Sequence, residues 1–244
     1  MTRMPPKNKR NGGLTARKVE YTDLRKALTY RDIETMCMEA AQYGLGTVVV
    51  PSALVRRAAA YCSGEFPLVA TVISYPFGTQ SPCVKAREAA IAIEHGAREL
   101  DVVPHFGSIL AERWADVARE LSAIRGAASE AALKLVLETG RLSSGQIREA
   151  CAIAVDNGFK YVANTVGFRL VSTDPDAEGT ASASIVVSLR ELAGESLAIK
   201  AVGGISTLGE VNDLLDAGAA RVGISMSPGL LRSLEWAANE EESA

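Results

Sequence analysis

Eight short apolar or β-branched segments, separated by stretches of helical periodicity along 244 residues, predict an α/β chain closed into a single (β/α)8 barrel, the TIM-barrel class. Alternation of strand and helix implies parallel pairing, and eight units imply closure. An apolar content of 48% suffices for one large core, and no composition break marks a second domain.

The strands are expected at Val19–Thr22, Gly46–Val50, Leu68–Ser74, Glu99–Val103, Leu133–Thr139, Tyr161–Val166, Leu197–Val202 and Ala220–Ile224. The second is the β-branched run Thr-Val-Val-Val ended by Pro51, the style of a strand buried on both faces. Helix starts are written in the caps. Thr29 with Asp32 three residues on opens a helix through Ile33, Met36, Cys37 and Ala40 that stops at Gly44. Ala53–Tyr61, Pro82–His95, Ser108–Ile124, a segment from Ser143-Ser-Gly-Gln146 to Asp156, and Ser184–Leu192 supply the following helices. Thr207 with Glu210 is a further capping box, before Val211–Ala217, and a last helix is expected near Leu230–Ala238. The low-complexity run Asp174–Ala183 falls on the face where such barrels place active sites, as a lid or a linker.

Composition removes several function classes. A net charge of -3 gives no global basic field for nucleic acid. Residues 1–18 are the exception, rich in Lys and Arg and free of acids; they read as a disordered basic tail, with the barrel over 19–238 and a short tail at 239–244. No signal peptide or bilayer-length apolar run is present, so neither a membrane partner nor export is expected. Cys37, Cys62, Cys83 and Cys151 are scattered without a Cys-x-x-Cys spacing, which suits a reduced, cytoplasmic protein. With only His95 and His105, a zinc site built from several histidines is excluded, and no metal or other cofactor is expected.

Strand parity selects the candidate site residues. Lys200 lies between Ile199 and Ala201, and Asp101 between Leu100 and Val102, so both charges point into the barrel if their neighbours face the helices. Opposite charges there must meet each other or a polar substrate. The readings open at this point are an ion pair that fills the barrel and a catalytic pair. His105, just after the Asp101 strand, could move protons near neutral pH or be a loop histidine without a role. Glu138 shares the parity of Lys134 and is a further interior candidate. Gly167, Gly203, Gly204, Gly223 and Ser225 fall at the ends of consecutive strands, where barrels bind phosphate on bare backbone N–H groups.

The motifs Val72-Ile-Ser-Tyr-Pro-Phe-Gly78, Val84-Lys-Ala-Arg-Glu-Ala89, Glu99-Leu-Asp-Val-Val103, Leu133-Lys-Leu-Val-Leu-Glu-Thr-Gly140, Gly203-Gly-Ile-Ser-Thr207 and Arg221-Val-Gly-Ile-Ser225 follow one another in an order that resembles the deoxyribose-phosphate aldolases. The likeness runs from about Val19 to Leu231 and implies a class I aldolase ancestor that handles short aldehydes and sugar phosphates without metal. Asp101 matches the family's proton-relay aspartate, Lys200 its second lysine, and the four glycines with Ser225 its phosphate positions. The Schiff-base lysine falls on Ala163, which has no amine. Asn164 and Val166 stand where the family has threonines, and Glu20 where it often has aspartate.

The resemblance therefore implies a lyase-like enzyme acting on a small, phosphorylated carbonyl compound by aldol, retro-aldol or enolisation-type chemistry without that lysine. Two alternatives stand beside it: a class I aldolase with Lys200 as the relocated Schiff-base lysine, and a non-catalytic sugar-phosphate-binding barrel. Self-association into a homo-oligomer is left open.

Overall fold

The structure, a computed structural model, describes residues 16–167, 180–225, 229–231 and 233. Most of the basic tail, the greater part of the 174–183 run and all but the start of the expected last helix lie outside the described residues. Eight parallel strands close in sequence order: β1 Val19–Thr22, β2 Thr47–Val50, β3 Leu68–Ile73, β4 Glu99–Val102, β5 Ala132–Val136, β6 Tyr161–Ala163, β7 Ala198–Val202 and β8 Arg221–Ser225. β8 pairs with β1 to complete the ring. The expected (β/α)8 barrel is therefore present.

Eight described α-helices follow the strands: α1 Tyr30–Gln42, α2 Val55–Tyr61, α3 Pro82–Glu94, α4 Phe106–Leu110, α5 Trp114–Ala127, α6 Ser144–Asp156, α7 Ala183–Ala193 and α8 Leu208–Asp216. All three predicted side-chain caps form reciprocal boxes, Thr29 with Asp32, Ser143 with Gln146 and Thr207 with Glu210. The single helix expected over Ser108–Ile124 is instead two. Glu112 takes a left-handed φ of 53°, Arg113 donates its N–H back to Ser108, and Asp116 in the first turn of α5 restarts the helix beside the Arg113 and Arg119 guanidinium groups.

Alternation along the strands divides the interior in two. Val19, Val48, Leu100, Val102, Leu133, Leu135, Ile199, Ala201, Val222 and Ile224 face outward and form the main apolar core beneath the helices. The opposite set fills the barrel, and it is polar at one level: Glu20, Glu99, Asp101, Lys134, Lys200 and Arg221. Above it, toward the strand C-terminal ends, two apolar groups close the axis. One is Val103, Val136, Ala163 and Val166; the other is Val49, Ala70 and Val72, with Tyr75 packed against both.

Candidate active site

Lys200 and Asp101 meet at the centre of the barrel, as strand parity requires. The Lys200 ammonium contacts Asp101 Oδ2 and lies 2.5 Å from Glu20 Oε2. Lys134, one strand beyond Asp101, donates a hydrogen bond to Glu20 Oε1 at 2.6 Å, ion-pairs with Glu99 Oε2 at 2.6 Å and lies 3.4 Å from Asp101 Oδ1. Arg221 completes the set at 3.7 Å from both Glu20 and Glu99. Three carboxylates thus balance three cations, which is the condition for keeping so many charges out of water. Lys134 and Arg221 also lie against the Tyr161 ring, each 5.8 Å from its centroid.

Burial works against the Glu20 charge, but the Lys134 and Lys200 ammonium groups outweigh it and hold the carboxyl down at about 2. Burial likewise penalises the Lys134 ammonium, and Asp101, Glu20 and Glu99 more than compensate, so it titrates above the ordinary lysine range. Glu20 is therefore a fixed negative charge against Lys200. Asp101 Oδ1 is buried and accepts no hydrogen bond from the described residues. That oxygen has lone pairs available to a proton, in a carboxylate whose other oxygen is already held.

A small cavity of about 30 Å³ lies above this network, lined by Asp101, Lys200, Ala163, Thr165, Tyr75 and a ring of valines. It holds roughly two waters or a carbonyl carbon with its oxygen. Outside it, at the strand ends, opens a cleft of about 750 Å³ that shares Thr22, Leu24, Tyr75, Val166 and Val202 with the inner cavity. Gly167, Gly203, Gly204, Gly223 and Ser225 all line this cleft, with Arg25 and Lys26 from the loop after β1. Asp23 grips Arg25 through Nε at 2.9 Å and Nη2 at 2.6 Å, fixing the guanidinium.

These five positions are not equivalent in the cleft. The Gly167 N–H is engaged by Thr165 Oγ1 at 3.2 Å. Gly204 has a left-handed φ of 72°, and a Cβ there would fall 2.6 Å from Thr180 Cγ2. Gly223 makes room for the lysine: a Cβ would lie 3.3 Å from Val202 Cγ2 and 3.4 Å from Lys200 Cε.

Two predicted residues have other work. His105 is exposed and lines neither cavity; its Nδ1 accepts the Ser108 N–H at 3.1 Å and caps α4. Glu138, past the end of β5, does not pair with Lys134. It accepts the Val166 N–H at 2.8 Å and the Thr165 hydroxyl at 3.1 Å, holding the loop after β6, and burial raises its carboxyl above the usual range. Parity carried Glu138 inward on paper, but the strand ends at Val136 and the parity ends with it.

The residues that sequence reasoning missed as site members are Glu20, Glu99 and Arg221. Their signal was the same parity, since Glu99 precedes Asp101 by two and Arg221 precedes Gly223 by two. A second buried pair was also missed. Lys85 on α3 bonds Glu120 on α5 at 2.7 Å and the Val103 carbonyl at 2.9 Å, securing the strand end just beyond Asp101.

A closed parallel barrel with an ion-paired lysine and aspartate beneath a small pocket, and a glycine-lined cleft above it, has the architecture of the (β/α)8-barrel enzymes, and the comparisons with known proteins place it among the aldolases. Residues 14–163 match the DeoC/LacD family aldolase model, and the chain belongs to that family. It is 32% identical over 220 residues to the deoxyribose-phosphate aldolase of Lysinibacillus sphaericus, covering 90% of this chain and 95% of that one. It is 34% identical to that of Deinococcus radiodurans, with coverages of 87% and 93%. Among solved structures, the tetrameric deoxyribose phosphate aldolase of Aeropyrum pernix superposes with a TM-score of 0.79 at 26% identity, over 92% of each chain. No helix among the described residues is long and apolar enough to cross a membrane.

Proposed function

We propose that this aldolase-family chain is a metal-independent enzyme acting on a small, phosphorylated carbonyl compound by aldol, retro-aldol or enolisation-type chemistry without a Schiff base. The single observation carrying this reading is the contact of one amine, Lys200 Nζ, with two carboxylates, Glu20 and Asp101, in the wall of a pocket where residue 163 has no amine. An amine between two carboxylates is placed as a cation. Its part is to receive the negative charge that develops on a carbonyl oxygen as an α-proton or a carbon–carbon bond is lost. Asp101 Oδ1 takes that proton.

The cleft above suits the other end of the substrate, with Gly203, Gly204, Gly223 and Ser225 as the phosphate cradle, Gly167 on its rim, and Arg25 and Lys26 as cations at its edge. The barrel over 19–238 is the whole catalytic unit in this reading, flanked by the basic 1–18 segment and the 239–244 tail. The protein is placed in the cytoplasm, with neither nucleic acid nor membrane as partner. A tetrameric structural relative supports self-association into a homo-oligomer in this reading.

The test is proton exchange at the α-carbon of short aldehydes, ketones and sugar phosphates, followed by NMR in deuterated water, with borohydride trapping in parallel. Exchange that falls at least a hundredfold in Asp101→Asn and Lys200→Met, with no reduced adduct on the wild-type chain, is expected. A borohydride-reduced adduct on Lys200 would instead establish the relocated Schiff base. Saturable binding without exchange or turnover would leave a sugar-phosphate-binding barrel.

A further inference from the structure

Two of the four cysteines are brought together, far apart in sequence and remote from the pocket. Cys37 lies on the buried face of α1, between Met36 and Ala40, and is 2% exposed. Cys62 caps the C-terminal end of α2 and is partly exposed, followed by the exposed residues Ser63, Gly64 and Glu65. One backbone atom joins them: the Ala58 carbonyl accepts the Cys62 backbone N–H at 2.9 Å and the Cys37 S–H at 3.9 Å. The two thiols are also near enough for each to shift the other's titration. The other thiols have no such partner: Cys83 is exposed beside Ser81, and Cys151 is buried in α6.

We propose that Cys37 and Cys62 are a reversible modification site, joined as a disulfide between α1 and α2 when the protein meets a peroxide. The roles follow from placement. Cys62, reachable from solvent, attacks one peroxide oxygen; the O–O bond breaks, one water leaves after protonation, and Cys62 becomes a sulfenic acid. Cys37, shielded from the oxidant, gives up its proton and attacks the Cys62 sulfur; the S–O bond breaks and the second water leaves. Two thiols lose two electrons and one peroxide becomes two waters. The hydrogen bond from Cys37 lowers the Cys62 thiol, against the opposing effect of burial, while the same bond and burial raise Cys37. The lowered thiol is the one reachable from solvent, which suits Cys62 as the attacking sulfur; Cys37 is raised and must lose its proton to attack in turn, which makes closure of the disulfide the slower step. The helix end at Cys62 and the exposed turn after it are where the chain can turn to bring the two sulfurs to bonding distance.

The experiment treats the full-length protein with hydrogen peroxide, removes the oxidant, blocks remaining thiols with N-ethylmaleimide in denaturant so that buried thiols react, and maps peptides without reduction. The expected product is an intramolecular Cys37–Cys62 cross-link lacking two hydrogens, with Cys83 and Cys151 alkylated. Its melting temperature should rise by several degrees and return on treatment with dithiothreitol. Cys62→Ser should leave Cys37 unoxidised, and Cys37→Ser should leave a sulfenic acid at Cys62 that dimedone traps. Cys62 driven to sulfinic acid while Cys37 remains alkylatable, a bridge only between chains, or no oxidation of Cys62 would each overturn the proposal. The wild-type map decides the matter alone if Cys37→Ser does not fold.

Discussion

Replacing Glu20 with Gln tests the charge balance at the centre of the barrel. The wild-type carboxylate serves Lys134 and Lys200 at once, and its loss leaves three cations, two of them buried, facing two carboxylates. An uncompensated buried charge costs about 3–5 kcal/mol at neutral pH. The pH dependence is the sharper signature. A Glu20 carboxyl that titrates near 2 in the fold and near 4.5 when unfolded binds its proton more readily unfolded. Its contribution is therefore fully present above about pH 4.5 and is lost as pH falls toward 2. A depression of about 2.5 pKa units corresponds to roughly 3 kcal/mol. Urea unfolding of wild type and Glu20→Gln across pH 2 to 7 should give stability curves that converge by about that amount on acidification. Adding Lys134→Met to Glu20→Gln restores neutrality and should recover part of the loss at pH 7. Parallel curves for wild type and Glu20→Gln would refute the argument, because Glu20 would then be no more acidic in the fold than in the unfolded chain.

Other outcomes are as direct. Ala163→Lys places an amine beside its register partner Lys200 but within the Val103, Val136 and Val166 cluster, so it should cost about 1–3 kcal/mol in chemical denaturation. The variant should gain an adduct at residue 163 under borohydride with short aldehydes; absence of that adduct in the folded variant would mean that the pocket does not admit a carbonyl. Gly223→Val should crowd Lys200 and depress α-proton exchange about tenfold or more while leaving the melting temperature within a few degrees. Glu138 is raised by burial, so its folded-state contribution is largest at low pH and declines as pH rises through the folded value. Glu138→Gln, which keeps an acceptor for Val166 N–H, should accordingly be nearly neutral at pH 7, read by thermal melting. Arg25→Ala should weaken inorganic phosphate binding about fivefold in a calorimetric titration, and more weakly at high salt.

Much of this molecule is legible in its sequence, for reasons that differ between parts. The strands declare themselves because each is an apolar run bounded by glycine, proline or a capping residue, and the three capping boxes sit where the sequence places them. Lys200 and Asp101 declare themselves because a charge within an apolar strand has few permitted neighbours. Glu20, Glu99 and Arg221 obey the same rule, but each stands at or next to a strand end, where a charge is ordinarily solvated. His105 and Glu138 misled for the opposite reason: both lie beyond the strands, where alternation no longer fixes direction. The break at Glu112 was illegible because nothing in Ala-Glu-Arg opposes a helix; the interruption comes from hydrogen bonds back to Gly107, Ser108 and Ile109. The Cys37–Cys62 approach required the packing of two helices, which spacing alone does not supply.

The Asn164 side chain forms a pair of hydrogen bonds with the Val202 backbone, donating to its carbonyl at 2.9 Å and accepting its N–H at 2.8 Å. An amide group thereby does the work of a peptide unit, clasping the ends of β6 and β7 one residue beyond position 163. The clasp makes no use of the side chain at 163. That position is consequently a replaceable part in a frame that stays put, because the bonds that hold the strand carrying Lys200 in place do not depend on it. A change of side chain at 163 is in this sense a change of reagent within an intact vessel.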